Sequence, residues 1–289
     1  MWSVYAVAAA LFAALERTLM KGAVDVAPDR VIVFTRYAVA AVIAVAMLFF
    51  VEIPTVRPAF YPSAFLGCLA DVTAIVFMSR ALRYSSMSRV VPLLSFTPVF
   101  LLLTGFLILG ELPSLLGILG VIIVVIGSYL FHVESSHQSL WKPFRLMFRD
   151  KGARYMTGTA AGFSLAIPFF KNAILHSSAL FTLGVTLSFS TLLLLGYHLV
   201  LRRRSLRDLL PGKPARKILI GLGVTVFCVA LSVNLAFLNG LVSYVISIKR
   251  LSILLNIVIG FLFFKEQGLV RNLSAGGIML LGALIILLH

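Results

Sequence analysis

Apolar runs of about 20 residues alternate with short polar breaks along the whole chain. They fall at roughly 2–22, 31–51, 60–80, 88–109 and 112–132, then at 155–175, 179–201, 216–238, 241–264 and 269–288. A helix needs about 20 such residues to cross a ~30 Å hydrocarbon core, so each run predicts one membrane-spanning helix. Breakers separate the runs: Ala27-Pro28-Asp29, Ile53-Pro54, Leu112-Pro113 and Pro211-Gly212. The longest polar stretch, 133–154, divides them into two sets of five. The predicted fold class is an all-α membrane protein of ten transmembrane helices, with repeats over 1–132 and 154–289 and a linker at 133–153.

The two sets resemble each other. At an offset of 155, Ser88 matches Ser243, Gly105-Phe106 matches Gly260-Phe261, Glu111 matches Glu266, and Gly127 matches Gly282. Lys21 and Ala23 match Lys171 and Ala173 at an offset of 150. Chance alignment of apolar sequence would pair Leu with Val, not Gly and Glu with themselves. An odd number of helices per repeat turns the second repeat upside down. Inverted five-helix repeats point to a transporter, with its site at the repeat interface near the midplane.

Composition narrows the class further. The chain is 61% hydrophobic and only 12% charged, where a soluble domain carries about 25%, so no water-soluble domain is expected. The first run, 2–20, has no basic region before it and reads as a retained helix rather than a signal peptide. Cys68 and Cys228 each lie in an apolar run, and no two of the five histidines have ligand spacing. Neither a disulfide framework nor a metal or other cofactor is expected. The deep acids are single and far apart, and no nucleophile–His–acid arrangement is evident, so no catalytic residues are assigned and an enzyme is not expected.

Charge gives an orientation. Of 25 Lys and Arg, the loops on one side hold all but Arg57, Lys171 and those inside the spans. The positive-inside rule makes the cation-rich side cytoplasmic, which places both termini outside and the protein as a multi-pass chain in a cell membrane, here a bacterial inner membrane. The net charge of +15 is accounted for this way, and nucleic acid is not an expected partner. In the linker, Trp141, Phe144 and Phe148 recur at helical spacing beside Lys142, Arg145 and Arg149. Such a stretch either lies on the anionic inner leaflet or is a solvated connection.

Charges inside the spans are the candidate chemistry. Lys249 and Arg250 interrupt the run 241–264, about 12 Å from its start at 1.5 Å per residue. A Lys or Arg at a helix centre costs about 2.5–3.5 kcal/mol, so the pair is expected to face protein or water. An arginine fork suits a carboxylate or phosphate, and lysine adds a point charge. Ser247 and Asn256 on the same helix, with Arg36, complete the predicted substrate-binding set. Glu16 and Asp71 are the carboxylates deepest in the spans and the candidates for proton coupling. The alternative is structural: Glu16 neutralising Arg17 or Arg36, and Asp71 neutralising Arg36 or Lys249. Glu111 and Glu266 read as caps and anchors at helix ends, and Lys21 and Lys171 as cations closing helices. Pro92, Pro98 and Pro168 are expected to interrupt their spans. Gly117, Gly120, Gly127, Gly276, Gly277 and Gly282 make small-residue faces, serving either a dimer contact or the internal fit.

The stretch "SSMSRVVPLLSFTPVFLLLTGFLILGELPSLLGILGVIIVVIGSYL" resembles the EamA-type repeat of the drug/metabolite transporter superfamily, and "SYVISIKRLSILLNIVIGFLFFKEQGLVRNLSAGGIMLLGALIILL" resembles it again. Arg36-Tyr37 in "VFTRYAVAAV" suits that family's second helix. The resemblance implies a ten-helix transporter in which helices 1–4 and 6–9 surround a central cavity. It also implies cytoplasmic termini, the reverse of what the loop charges indicate. "TLMK" at 18–21 is similar to the first helix of small multidrug resistance proteins, whose membrane glutamate would fall at Ala13, one turn from Glu16. The Lys-Arg pair is similar to that of plastid triose-phosphate translocators, although their helix-4 lysine is Leu94 here. The expected function is a secondary exporter or exchanger of a small organic metabolite bearing a carboxylate or phosphate, working by alternating access. Its alternatives are a proton-coupled exporter of amino acids or of cationic or aromatic drugs, and a flippase for a polyprenyl-phosphate-type lipid. The expected partners are the small-molecule substrate, a counter-substrate or protons, and the bilayer, around a monomer or homodimer.

Overall fold

The computed structural model describes residues 1–86, 90–135, 149–203, 205–256, 259 and 269–288, with side chains in all but 133–135 and 269–273. Among the described residues every regular element is helical. In chain order they are α1 (Trp2–Val26), α2 (Asp29–Leu48), α3 (Phe60–Tyr84), a 3₁₀ segment (Val91–Phe96) leading into α4 (Thr97–Leu109), and α5 (Leu115–Ser135). There follow α6 (Lys151–Leu175), α7 (Ala179–Gly196) with a π turn (Tyr197–Leu201), α8 (Arg216–Phe237), α9 (Val242–Lys249) and α10 (Leu269–Leu287). Among the described residues, seven segments are long and apolar enough to cross a membrane: α1, α2, α3, Val91–Leu109, Leu115–His132, Ala179–Leu201 and Lys213–Phe237.

The helix ends follow local chemistry. Ala27 is extended at φ −149°, as the residue before Pro28 must avoid the helical region, and α2 starts immediately afterwards with Asp29 in its first turn. Gly110 closes α4 in the left-handed conformation at φ +68°, which only glycine adopts without strain. Asp150 and Ser178 cap α6 and α7 by accepting from the amides of Ala153 and Phe181.

Two expectations about breaks change. Pro168 does not interrupt α6, which continues from Lys151 to Leu175. Proline leaves the carbonyl four residues back without its amide donor, and here that carbonyl, of Ser164, accepts from Thr104 Oγ1 on α4 at 2.6 Å. A neighbouring helix thus replaces the lost bond. Conversely, the run 241–264 is not one uninterrupted helix, although it holds no proline. α9 stops at Lys249, a turn occupies 250–251, and helix resumes over 252–256. The Arg250 amide is shared between Ile246 O and Ser247 O, and Leu251 N bonds Ile248 O, so the ladder tightens to i→i−3 spacing. Leu94-Ser95, which the sequence offset of 155 aligns with Lys249-Arg250, lies in the 3₁₀ segment between Pro92 and Pro98. The helical ladder is thus tightened at both of these positions.

The most extensive helix pairings recur when each helix is exchanged with the one five later. α3 packs on α6 as α8 packs on α1, α4 on α6 as α9 on α1, and α2 on α8 as α7 on α3. The pairs α2–α7, α4–α9 and α5–α10 map onto themselves. The α5–α10 seam uses its glycines internally. A Cβ on Gly282 would meet Gly120 O and Val124 N, and one on Gly127 would meet Ala275 O and Met279 N. The alanine face of α1 (Ala6, Ala9 and Ala13) enters the largest core cluster beside Val233 and Phe237 of α8 and Val245 of α9. Residues 136–148 of the expected amphipathic linker, including Trp141 and Phe144, lie outside the described residues, as do Glu266 and Gly260.

The Thr104–Ser164 bond makes a two-way prediction. Thr104→Val preserves shape but orphans the Ser164 carbonyl, costing about 1–3 kcal/mol, read as a lower unfolding midpoint in detergent. Pro168→Ala restores an amide donor to that carbonyl. In the Pro168→Ala background, Thr104→Val should then cost much less. Equal losses in both backgrounds would show that the hydroxyl does not serve the proline.

Candidate functional site

Lys249 and Arg250 lie at the tightened turn after α9, each half-buried. Arg250 Nη2 donates to Leu94 O at 2.6 Å, so the arginine after α9 closes on the 3₁₀ segment before α4. Lys249 has no hydrogen-bond or ion-pair partner among the described residues, and the expected structural pairing of Lys249 with Asp71 does not form. The charges that act on it are Glu16, Arg250, Arg17 and Asp71. One and two turns back along α9, Ser247 and Ser243 have buried hydroxyls without a partner. Asn256 does not join the cations: its Nδ2 donates to Ser252 O at 2.7 Å and its Oδ1 accepts from Thr18 of α1 at 3.4 Å.

The carboxylates face these cations from α1 and α3. Glu16 Oε1 accepts from Arg36 Nη1 at 3.1 Å, the structural pairing weighed for it, with 20% and 12% of the two side chains exposed. Arg36 Nε is left buried and unpartnered, and its guanidinium lies 5.5 Å from the Tyr37 ring centre. Tyr37 in turn donates from its hydroxyl to Asp71 Oδ2 at 3.2 Å. A polar chain from Glu16 through Arg36 and Tyr37 to Asp71 thus crosses α1, α2 and α3. Arg36, Lys249 and Arg250 outnumber Glu16 and Asp71, so the fully charged cluster has a positive excess, to which the exposed Arg17 adds from its edge. Uncompensated cations in a membrane interior are costly; an entering anion would balance them.

Two participants were not legible beforehand. Tyr37 reads as an ordinary apolar-run aromatic, and His132 as one of the scattered histidines. His132 Nδ1 lies 2.6 Å from Ser128 O on α5, within reach of the charges of Arg17 and Arg250. The spacing of Ser128 and His132 is the only available signal: four residues apart on an apolar helix, they share a face. Ser128 Oγ also hydrogen-bonds Ser95 Oγ at 2.8 Å, beside Leu94.

At the opposite ends of the spans, a second network closes the helices together. Lys171 was expected to close α6 as a dipole-complementing cation. Instead its ammonium is buried, donating to Glu111 Oε1 and, at 2.7 Å, to Gly240 O. The other Glu111 oxygen accepts from Val242 N at 2.9 Å, the first amide of α9. Glu111 is a cap, as expected of it, but for α9 rather than for its own helix. The arrangement satisfies both charges with extra hydrogen bonds, as a buried pair requires. Tyr244 packs beside it against Trp2, their centroids 6.3 Å apart, and fills the space that a Cβ on Gly117 would take.

Residues 1–133 match the model of the EamA-like transporter family. No curated protein matches the sequence. A solved structure, described as the crystal structure of a protein, superposes with a TM-score of 0.77 over 99% of this chain and 98% of its own, at 15% identity. That likeness concerns the fold.

Breaking the Glu111–Lys171 pair should be expensive. Glu111→Ala strands a buried ammonium and an α9 amide, for a loss of about 3–5 kcal/mol, read as thermal unfolding in detergent. The Glu111→Ala/Lys171→Met double variant should recover part of that loss. Additive losses would mean that the two side chains are not energetically coupled.

Proposed function

We propose that this EamA-like membrane transporter moves a small organic metabolite bearing a carboxylate or phosphate, by alternating access through a cavity between two inverted five-helix repeats. The observation that carries the reading is Lys249, which forms no ion pair among the described residues and lies beside Arg250 at a helix break. Two cations at that depth would cost about 5–7 kcal/mol at ~2.5–3.5 each if they faced lipid. They are half-buried instead, which suits groups edging a wet internal surface. The unpartnered hydroxyls of Ser243 and Ser247 and the Arg36 Nε add donors that a ligand could use. Arg250, with its planar fork, and Lys249 take the anionic group; Ser247 and Arg36 line the same space. Asn256, engaged with Ser252 and Thr18, has the weakest claim among the predicted binding residues.

The inverted repeat, and with it the full set of ten spans, is supported by the exchange-symmetric packing and by the matched tightened turns at Leu94-Ser95 and Lys249-Arg250. Alternating access has a candidate closure in the Lys171–Glu111–Gly240 network, which binds α6, the segment after α4 and the start of α9 at one end of the spans. The orientation with cation-rich loops in the cytoplasm, in a bacterial inner membrane, rests on the loop charges and puts this closure on the outer face.

Proton coupling is the second reading. It is favoured by Glu16 and Asp71 each being tied to a group that could exchange partners, Arg36 and Tyr37. Substrate binding near Lys249 would alter the field at both carboxylates, linking anion occupancy to proton occupancy. A polyprenyl-phosphate flippase would use the same cations, and a soluble counter-substrate accelerating efflux from liposomes would exclude it.

Screening organic anions, amino acids and cations for thermal stabilisation of detergent-purified protein identifies a ligand. Arg250→Lys, which keeps the charge but loses the fork, should weaken binding about tenfold, one charge-assisted bond being worth ~1.5–3 kcal/mol. Lys249→Ala and Arg250→Ala should each weaken it by more than that. A folded, monodisperse double variant with unchanged affinity would mean that the pair is structural. In liposomes, Glu16→Gln or Asp71→Asn should flatten the pH dependence of transport; a pH profile intact in both would remove these acids from coupling.

A further inference from the structure

Where α3 ends beside the start of α6, on the face that carries Arg80, Arg83, Lys151 and Arg154, lies a cavity of about 460 Å³. It is lined by Phe77, Tyr84, Lys151, Arg154 and Tyr155 and shares none of these with the interior polar cluster. Its wall is an ordered aromatic set. Tyr84 stacks on Tyr155 with centroids 5.8 Å apart and planes 7° from parallel, and Phe77 meets Tyr155 edge-on at 5.6 Å. The Arg80 guanidinium lies 5.7 Å from the Tyr155 centroid. The frame around the cavity is tied down. Asp150 accepts from Ser85 Oγ and from Ala153 N, and a Cβ on Gly152 would run into Ser85 and the Ala81 carbonyl. Neither Lys151 nor Arg154 has an acid partner among the described residues, and both are exposed.

We infer that this cavity holds the headgroup of an anionic phospholipid from the adjoining leaflet. Lys151 and Arg154 engage its phosphate, and Phe77, Tyr84 and Tyr155 contact the glycerol and the first acyl carbons. The shape of the lining selects a lipid over free phosphate. Tyr84 is the last residue of α3 and 59% exposed, whereas Phe77 lies two turns deeper, about 10 Å at 1.5 Å per residue. The cavity therefore runs from the interface towards hydrocarbon, cationic at one rim and aromatic along its depth. A soluble anion would need only the rim. Tyrosines belong at headgroup level, basic pockets between transmembrane helices suit anionic headgroups, and an arginine fork matches phosphate oxygens. The site does not rest on the transport reading and would serve any activity of the chain.

The test is lipid retention by detergent-purified protein in native mass spectrometry, titrated with phosphatidylglycerol or with phosphatidylcholine of the same acyl chains. The wild type should prefer phosphatidylglycerol. With each juxtamembrane cation worth roughly a factor of five, Lys151→Gln/Arg154→Gln should weaken phosphatidylglycerol binding about 30-fold and leave phosphatidylcholine unchanged. Arg83→Gln, which removes an exposed cation outside the cavity, should change it by less than about twofold. Millimolar inorganic phosphate should not displace the lipid. Equal affinity for the two lipids, an unaffected double variant, or an equal loss from Arg83→Gln would overturn the site. Displacement by inorganic phosphate would assign the cavity to a soluble anion and overturn the lipid.

Discussion

A hydrocarbon core offers no hydrogen bonds, so every polar group carried into it must find a partner inside the protein. Much of this chain's tertiary structure answers that demand. Pro168 would leave the Ser164 carbonyl orphaned, and Thr104 of another helix supplies the donor. The Lys171 ammonium is paired not only with Glu111 but with the free carbonyl of Gly240, while Glu111 spends its second oxygen on the first amide of α9. In both cases the partner comes from a different helix. The cost of an unsatisfied group in lipid is thereby converted into a constraint on how helices assemble.

The interior cluster follows the same rule but stops short of completing it. Glu16, Arg36, Tyr37 and Asp71 satisfy one another across three helices. Arg250 is held by a carbonyl, a neutral acceptor, and Lys249 by no contact among the described residues. Ser243, Ser247 and Arg36 Nε also keep unused capacity. A site meant only to hold helices together would have closed these valences, as the Lys171 network does. The contrast between the two networks, one saturated and one open, is the physical basis of the binding role proposed for the second.

Arg250 donates to the carbonyl of Leu94, far earlier in the chain, and both lie where the helical ladder tightens. At Leu94 the missing amide is that of Pro98, four residues on, and the Leu94 carbonyl accepts from Thr97 Oγ1 and Arg250 instead. In the second half no such residue exists. There the turn coincides with two adjacent cations and with a carbonyl across the interface that one of them reaches.

How much of this could be read beforehand depends on the range of the physics involved. The helices follow from apolar length against bilayer thickness, a local property, and α1, α6 and α8 begin or end within a few residues of the runs that predicted them. The cost of burying a charge is equally local, which is why Glu16, Arg36, Asp71, Lys249 and Arg250 stood out as interior candidates. Partner choice is not local. That Glu16 takes Arg36, that Asp71 takes the Tyr37 hydroxyl, that Lys249 is left over, and that Lys171 reaches Glu111 all depend on helix packing. Many side chains on an apolar helix are sterically and energetically interchangeable at the level of sequence. The break after Lys249 belongs to the same class, since no proline or glycine marks it. The sequence alone determined that this chain crosses a membrane and buries charge in doing so; only the tertiary structure decided which charges are neutralised and which remain open, because that choice is made by distances between helices far apart in the chain.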